Sequence, residues 1–123
     1  MTAWFERRPQ TARQQTGQAG EDAALAYLTR HGLTLRERNF RCRGGEIDLI
    51  MQDGGTLVFI EVRKRADVRH GGAAASVTRA KQARLIIAAQ TWLQRAPGSP
   101  ACRFDVIAID AGAISWLKNA IEA

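Results

Sequence analysis

Apolar and polar positions alternate through the middle of the chain. From Gly45 to Lys64, two runs rich in Ile, Leu, Val and Phe flank Asp53-Gly54-Gly55-Thr56. The pattern predicts two antiparallel strands joined by a two-residue turn, with glycine supplying φ > 0. Asp53 then faces Thr56, Asp48 faces Glu61 and Glu46 faces Arg63. Strand side chains alternate between faces. Ile47, Leu49, Met51, Val58, Ile60 and Val62 therefore make one apolar face. The other carries Ile50, Leu57 and Phe59 near the turn, and Glu46, Asp48, Glu61 and Arg63 at the far end.

A helical pattern over 17–30 precedes the hairpin. Ala23, Ala24, Leu25, Ala26 and Leu28 are strong helix formers, Leu25 and Leu28 share a face, and Gly32 suits the position after a helix end. Residues 33–39 read as a strand with Leu33, Leu35 and Phe40 as its apolar positions, and 41–45 as a basic turn. Beyond the hairpin, 66–75 is small and Gly-rich and reads as a loop. Ser76 or Thr78 can cap a helix running to about Arg95, with Leu85, Ala89, Trp92 and Leu93 as its stripe and Ile86 alongside. Ala96-Pro97-Gly98-Ser99-Pro100 stops it. Residues 103–110 read as a buried strand and 114–117 as a short edge strand. Asp105 interrupts the buried strand; it suits either an ion pair with Arg103 or a place near a site. The order α-β-β-β-α-β, a meander followed by a helical crossover, predicts an α/β fold: a mixed sheet flanked by helices. The expected organisation is a flexible N-terminal tail over 1–16, one domain over 17–118 and a tail over 119–123.

A length of 123 residues suits one domain with a real core. No apolar run approaches the roughly 18–20 residues of a membrane span. The first residues lack the apolar core of a signal peptide, so a cytoplasmic protein with no membrane partner is expected. Cys42 and Cys102 have no CxxC partner and read as reduced thiols, not a zinc site. His31 and His70 are isolated. The net charge is +6; without the first sixteen residues, 15 basic groups still face 11 acidic ones, a net +4. Arg36, Arg38, Arg41 and Arg43 precede the hairpin. Arg63, Lys64, Arg65 and Arg69 follow it, and Arg79, Lys81 and Arg84 come at the start of the second helix.

The acidic end of the hairpin is where charge changes the picture. Two carboxylates directly opposed repel each other, and partial burial worsens this because an unpaired charge loses its hydration. A bound cation would remove the conflict. The alternative is a solvent-facing polar patch with a Glu46–Arg63 ion pair. A basic surface around an acidic pocket suits a polyanion whose phosphate meets a metal.

Gly20-Glu21, Asn39-Phe40-Arg41-Cys42-Arg43, Gly45-Glu46-Ile47-Asp48-Leu49-Ile50, Phe59-Ile60-Glu61-Val62-Arg63, Val77-Thr78 with Lys81, and Arg103-Phe104-Asp105-Val106 occur in this order. Together they resemble the PD-(D/E)XK superfamily, and within it the small bacterial YraN-like family of endonuclease-like proteins, which is similar to archaeal Holliday-junction resolvases. The resemblance covers about 17–110 and implies a three-layer restriction-endonuclease-like fold and a DNA endonuclease. It implies that Glu21, Asp48 and Glu61, with the backbone carbonyl of Val62, hold Mg²⁺ (or Mn²⁺), and that DNA, branched forms included, is the partner. Mg²⁺ prefers hard oxygen ligands and keeps several waters. Where such nucleases carry lysine this chain has Arg63, which stabilises charge but makes a poor base. Lys81 can reach the site from its helix, as in some relatives. Glu21, Asp48, Glu61, Arg63 and Lys81 are thus the candidate catalytic residues, and Arg41, Arg43, Lys64, Arg65, Arg79, Lys81 and Arg84 the candidate nucleic-acid contacts. Resolvase-like enzymes also raise the expectation of a homodimer. The alternative function is a nucleic-acid-binding module on the same fold whose catalysis is weak or lost through Arg63.

Overall fold

The chain runs α1 (Ala12–Arg30), β1 (Thr34–Cys42), β2 (Gly45–Asp53), β3 (Thr56–Arg65), a short 3-10 helix (Ala74–Ser76), α2 (Arg79–Leu93), β4 (Ala101–Asp110) and β5 (Ala113–Leu117). This computed structural model describes residues 12–65 and 72–121, with side chains from Gly17 onward. Residues 1–11, with Trp4 and Phe5, lie outside the described residues, as does most of the expected 66–75 loop.

The sheet has the order β1-β2-β3-β4-β5. Every neighbouring pair is antiparallel except β3–β4, which is parallel and joined through α2. The mixed sheet follows from connection length: short turns make hairpins, and a parallel pair needs a crossover. α1 covers one face over Leu49, Met51, Val58, Ile60, Ile107 and Ile109. α2 covers the other over Ile50, Leu57, Phe59, Phe104 and Val106. The result is the expected three-layer α/β arrangement.

Local chemistry sets the ends of the elements. α1 starts at Ala12, ahead of the expected 17. It ends in a Schellman motif: Leu33 N–H donates to the Leu28 carbonyl (3.1 Å) and Gly32 N–H to that of Thr29 (3.1 Å), with Gly32 at φ +95°. Leu28 and Leu33 then pack in the same core. The cap of α2 is Thr78, whose side chain accepts from Lys81 N–H; Ser76 has another task. Gly54 alone in its turn has positive φ (+60°), as a type II′ hairpin requires.

Three expectations need correction. β1 extends to Cys42, so the turn before β2 is only Arg43-Gly44. Leu35 is 43% exposed: it lies on β1, opposite Met51, at the open edge of the sheet. Ile121, in the segment expected as a tail, is 3% exposed and joins the α2-side core. Ala120 N–H donating to the Phe104 carbonyl at 2.8 Å holds it there.

Gly45 is needed for room. A Cβ at this position would lie 2.1 Å from the Arg84 carbonyl oxygen and 3.0 Å from Ala88 N, so α2 rests on the bare backbone of β2. Gly45→Ala is expected to destabilise the fold by about 1–3 kcal/mol or more, as over-packing does. Urea melts of the two proteins measure this; a loss below about 0.5 kcal/mol, the scale of a surface change, would refute the close approach.

Candidate active site

β2 and β3 pair from the turn only as far as Leu49↔Ile60. Past that point the arms part. β2 stays with β1 (Ile47↔Phe40, Glu46↔Arg41), and β3 stays with β4 from Glu61↔Val106 to Arg65↔Asp110. In the fork, the Val62 N–H donates to Asp48 Oδ2 (2.8 Å). The Asp48 carboxylate thus takes the place of a strand partner and closes the apex of the fork.

This overturns the direct opposition of Asp48 with Glu61 and of Glu46 with Arg63. It also corrects the face of Ile47, which packs in the α2-side core with Ile50. Asn39, between the Arg38↔Leu49 and Phe40↔Ile47 pairs, has φ +53°, and simple alternation fails there. The Glu46–Arg63 ion pair of the alternative reading is absent as well among the described residues. Glu46 Oε1 lies 3.5 Å from Arg84 Nη2, and Arg63 Nε–H donates to Ser76 Oγ (2.9 Å).

The fork opens into a cavity of about 560 Å³. α1 contributes Glu21, with Gly17 and Gly20. β2 contributes Glu46 and Asp48, β3 the run from Glu61 to Arg65, and α2 Lys81 and Arg84. Glu21, Asp48, Glu61, Val62, Arg63 and Lys81 therefore share one cavity. Of the candidate nucleic-acid contacts, Lys64, Arg65, Lys81 and Arg84 line it. Arg41, Arg43 and Arg79 do not: Arg41 is on outer strand β1, Arg43 in the turn beyond it and Arg79 at the exposed start of α2. Arg36 and Arg38 are engaged elsewhere, Arg36 over the Trp92 ring (5.4 Å) and Arg38 with Asp22 (2.7 Å).

The acids are held uncomfortably. Burial pushes the Glu61 carboxyl up to about 9, helped by a hydrogen bond to Asp48 and by the Asp48 charge, and opposed by Arg63 and Lys81. The Asp48–Glu61 pair thus favours retaining a proton between its two carboxyls. Burial also raises the Glu21 carboxyl, with the Asp48 charge next, against the pull of Arg38 and Asn39. Glu21 Oε1 is buried with no hydrogen-bond partner, and Arg38 Nη2 stands off at 3.8 Å. Lys81 is lowered, first by burial and then by the Arg63 charge. A buried Glu21 oxygen without a hydrogen bond, and a Glu61 carboxyl raised by burial beside Asp48, make a place where a further cation would be welcome.

Among the described residues, no three His, Cys, Asp or Glu side chains converge closely enough to enclose one ion. The arrangement offers one close pair, Asp48 and Glu61, with Glu21 set back. That is the donor number Mg²⁺ ordinarily takes from protein carboxylates, with water and phosphate completing its shell.

A sequence profile described as "Uncharacterised protein family UPF0102" matches residues 20–109. The chain belongs to UPF0102. A UPF0102 protein of Herminiimonas arsenicoxydans is 71% identical over 119 residues, covering 97% of this chain and 96% of the relative. One from Janthinobacterium sp. (strain Marseille) is 66% identical over 116 residues, covering 94% of each. One from Ralstonia pickettii (strain 12J) is 57% identical over 117 residues, covering 91% of this chain and 94% of the relative. The match supports the YraN-like family to which the motifs pointed, and the layered mixed sheet is consistent with the PD-(D/E)XK superfamily. The UPF0102 span contains every cavity-lining residue except Gly17. No helix among the described residues of this UPF0102 protein is long and apolar enough to cross a membrane.

Two contacts have no signal in the sequence. Nothing local marks Ser76, a candidate cap, as the partner of Arg63. The ion pair of Arg84 with Glu46 depends on Gly45 bringing α2 against β2.

Proposed function

We propose that this UPF0102 protein is a metal-dependent deoxyribonuclease that hydrolyses phosphodiester bonds of DNA. The observation that carries the reading is the Asp48–Glu61 pair at the fork, where burial and the Asp48 charge raise the Glu61 carboxyl in a cavity lined also by Arg63, Lys64, Arg65, Lys81 and Arg84. Asp48, Glu61 and the Val62 carbonyl would hold Mg²⁺ or Mn²⁺, with Glu21 reaching it through water. The ion would polarise the phosphate and activate a water. Lys64, Arg65 and Arg84 bind the backbone phosphates on either side. Arg63 neutralises charge that builds on the phosphate. Lys81, its ammonium destabilised by burial and by Arg63, is neutral more often than an ordinary lysine and so more available to take the proton of the attacking water.

One observation favours a second reading, a DNA-binding module without cleavage: Arg63 stands in place of the motif lysine. A single experiment separates the two. Linear duplex, single-stranded and four-way-junction DNA are incubated with the protein and Mg²⁺, Mn²⁺ or EDTA, beside Asp48→Ala. The expected result is cleavage with either metal, none with EDTA and none with the variant. The metals should also raise the melting temperature of the parent but not of Asp48→Ala. Salt-sensitive binding without cleavage would establish the second reading. Cleavage that survives EDTA or the substitution would remove the proposed site.

A further inference from the structure

Arg63 stands where the nuclease pattern has lysine, and the fold supplies it with a fixed partner. Its Nε–H donates to Ser76 Oγ at 2.9 Å, its only side-chain hydrogen bond among the described residues. A serine hydroxyl has one proton to give. Ser76 gives it to the Ala73 carbonyl at 2.6 Å, so its oxygen meets Arg63 as an acceptor. Ala73 is fully buried, and its N–H donates to Asp110 Oδ1 at 2.6 Å, at the end of β4. Gly72 holds φ +75°, and a Cβ there would come within 2.8 Å of the same Asp110 oxygen. β4 thus fixes, through Asp110 and Ala73, the hydroxyl on which Arg63 rests. Arg63 lines the cavity, and neither Ser76 nor Asp110 does.

We propose that Ser76 is a positioning residue that sets the plane of the Arg63 guanidinium, so that its terminal nitrogens meet a phosphate of bound DNA beside the Asp48–Glu61 pair. The proposal rests on the nuclease reading above. Binding through Nε leaves Nη1 and Nη2 to address one phosphate bidentately, which a lysine ammonium cannot do. Arg63 then serves charge stabilisation, and Arg63→Lys slows cleavage instead of restoring it.

The test compares the parent, Ser76→Ala and Ser76→Thr in single-turnover cleavage, in DNA binding and in the NMR signal of the Arg63 Nε–H, identified by its loss in Arg63→Lys. Ser76→Ala should slow the cleavage step about tenfold or more while Kd for DNA stays within about twofold, the signature of a misplaced but present group. Ser76→Thr, which keeps the hydroxyl, should restore the rate. Exchange protection of the Arg63 Nε–H should be lost in Ser76→Ala and kept in Ser76→Thr. An unchanged rate in Ser76→Ala, or a lower rate with that protection intact, overturns the proposal. If the parent cleaves no DNA, the nuclease reading fails, and a titration with a DNA oligonucleotide decides the positioning separately. An Arg63 Nε–H signal that shifts in the parent but not in Ser76→Ala supports it; an equal shift, or none in either protein, overturns it.

Discussion

Under the proposed nuclease function, Glu61→Gln is expected to abolish cleavage and, at the same time, to make the metal-free protein less sensitive to rising pH. Burial and the Asp48 carboxylate raise the Glu61 carboxyl from 4.5 to about 9 in the fold. Between those values the folded protein keeps a proton that the unfolded chain has released. The folded state therefore binds more protons, and stability falls as pH rises through this window. It is greatest below about pH 4.5 as far as this group is concerned, and its contribution is gone above about 9. Glutamine cannot ionise, so most of that slope should vanish in the variant. Glu21, raised in the same sense, leaves a residue of it. A cation bound by Glu61 must displace the proton, so Mg²⁺ affinity and cleavage in the parent should rise with pH across the same range. Glutamine keeps the size of the side chain but loses its charge. Cleavage should drop by more than the roughly 10–100-fold that loss of an outer-shell partner costs a metal site. Urea melts from pH 5.5 to 8.5 with and without Mg²⁺, beside single-turnover rates, measure both effects. A parent whose metal affinity is flat with pH, or a variant with the parental slope, would show that Glu61 does not hold the proton that the ion replaces.

The acids of this cavity were legible in the sequence because a hairpin is local. Alternating apolar residues and Gly54-Gly55 give the register near the turn, and from it Asp48 and Glu61 emerge as neighbours. The fork was not legible, because it depends on the course each arm takes with its outer neighbour, and β4 lies far along the chain. Past Leu49↔Ile60, β2 follows β1 as far as Gly45 and β3 follows β4 as far as Arg65. The turn of Ile47 to the α2 side follows from a left-handed Asn39 on the neighbouring strand, which no period in β2 reveals. Charge clusters read along the chain misled in a related way. Arg41 and Arg43 adjoin the hairpin in sequence but sit one strand away from the cavity, while Arg84 arrives from α2. Fold class survived these errors because it depends on the order and spacing of elements. A site depends on which side of each element a residue finally takes.

Asp105→Ala should cost roughly 3–5 kcal/mol, the scale for removing one partner of a buried ion pair. Asp105 is fully buried in β4. The Arg103 Nε–H donates to both its oxygens (3.1 and 3.2 Å), Trp116 Nε1–H to Oδ2 (2.9 Å) and the Asn119 N–H to Oδ1 (2.8 Å). Arg103 is held in turn by Asp53 (3.0 Å), so the network ties the hairpin turn to β4, β5 and the segment that seats Ile121. Of the two roles open to Asp105 from sequence, the ion pair with Arg103 is the one the fold uses, and Asp105 does not line the cavity. Alanine takes the acceptor from three donors, the Arg103 Nε–H, the Trp116 Nε1–H and the Asn119 N–H, of which Arg103 keeps Asp53. Asp105→Asn keeps an acceptor oxygen but turns an NH₂ toward one of those donors, so a smaller loss is expected. For a domain whose whole stability is about 5–15 kcal/mol, the alanine variant should melt far earlier in urea. Under conditions where it remains folded, its metal-dependent stabilisation should match that of the parent. A loss below about 1 kcal/mol would mean that the network is solvated and contributes little. Loss of the metal response in a well-folded variant would instead couple this network to the fork, through the shared strand β4.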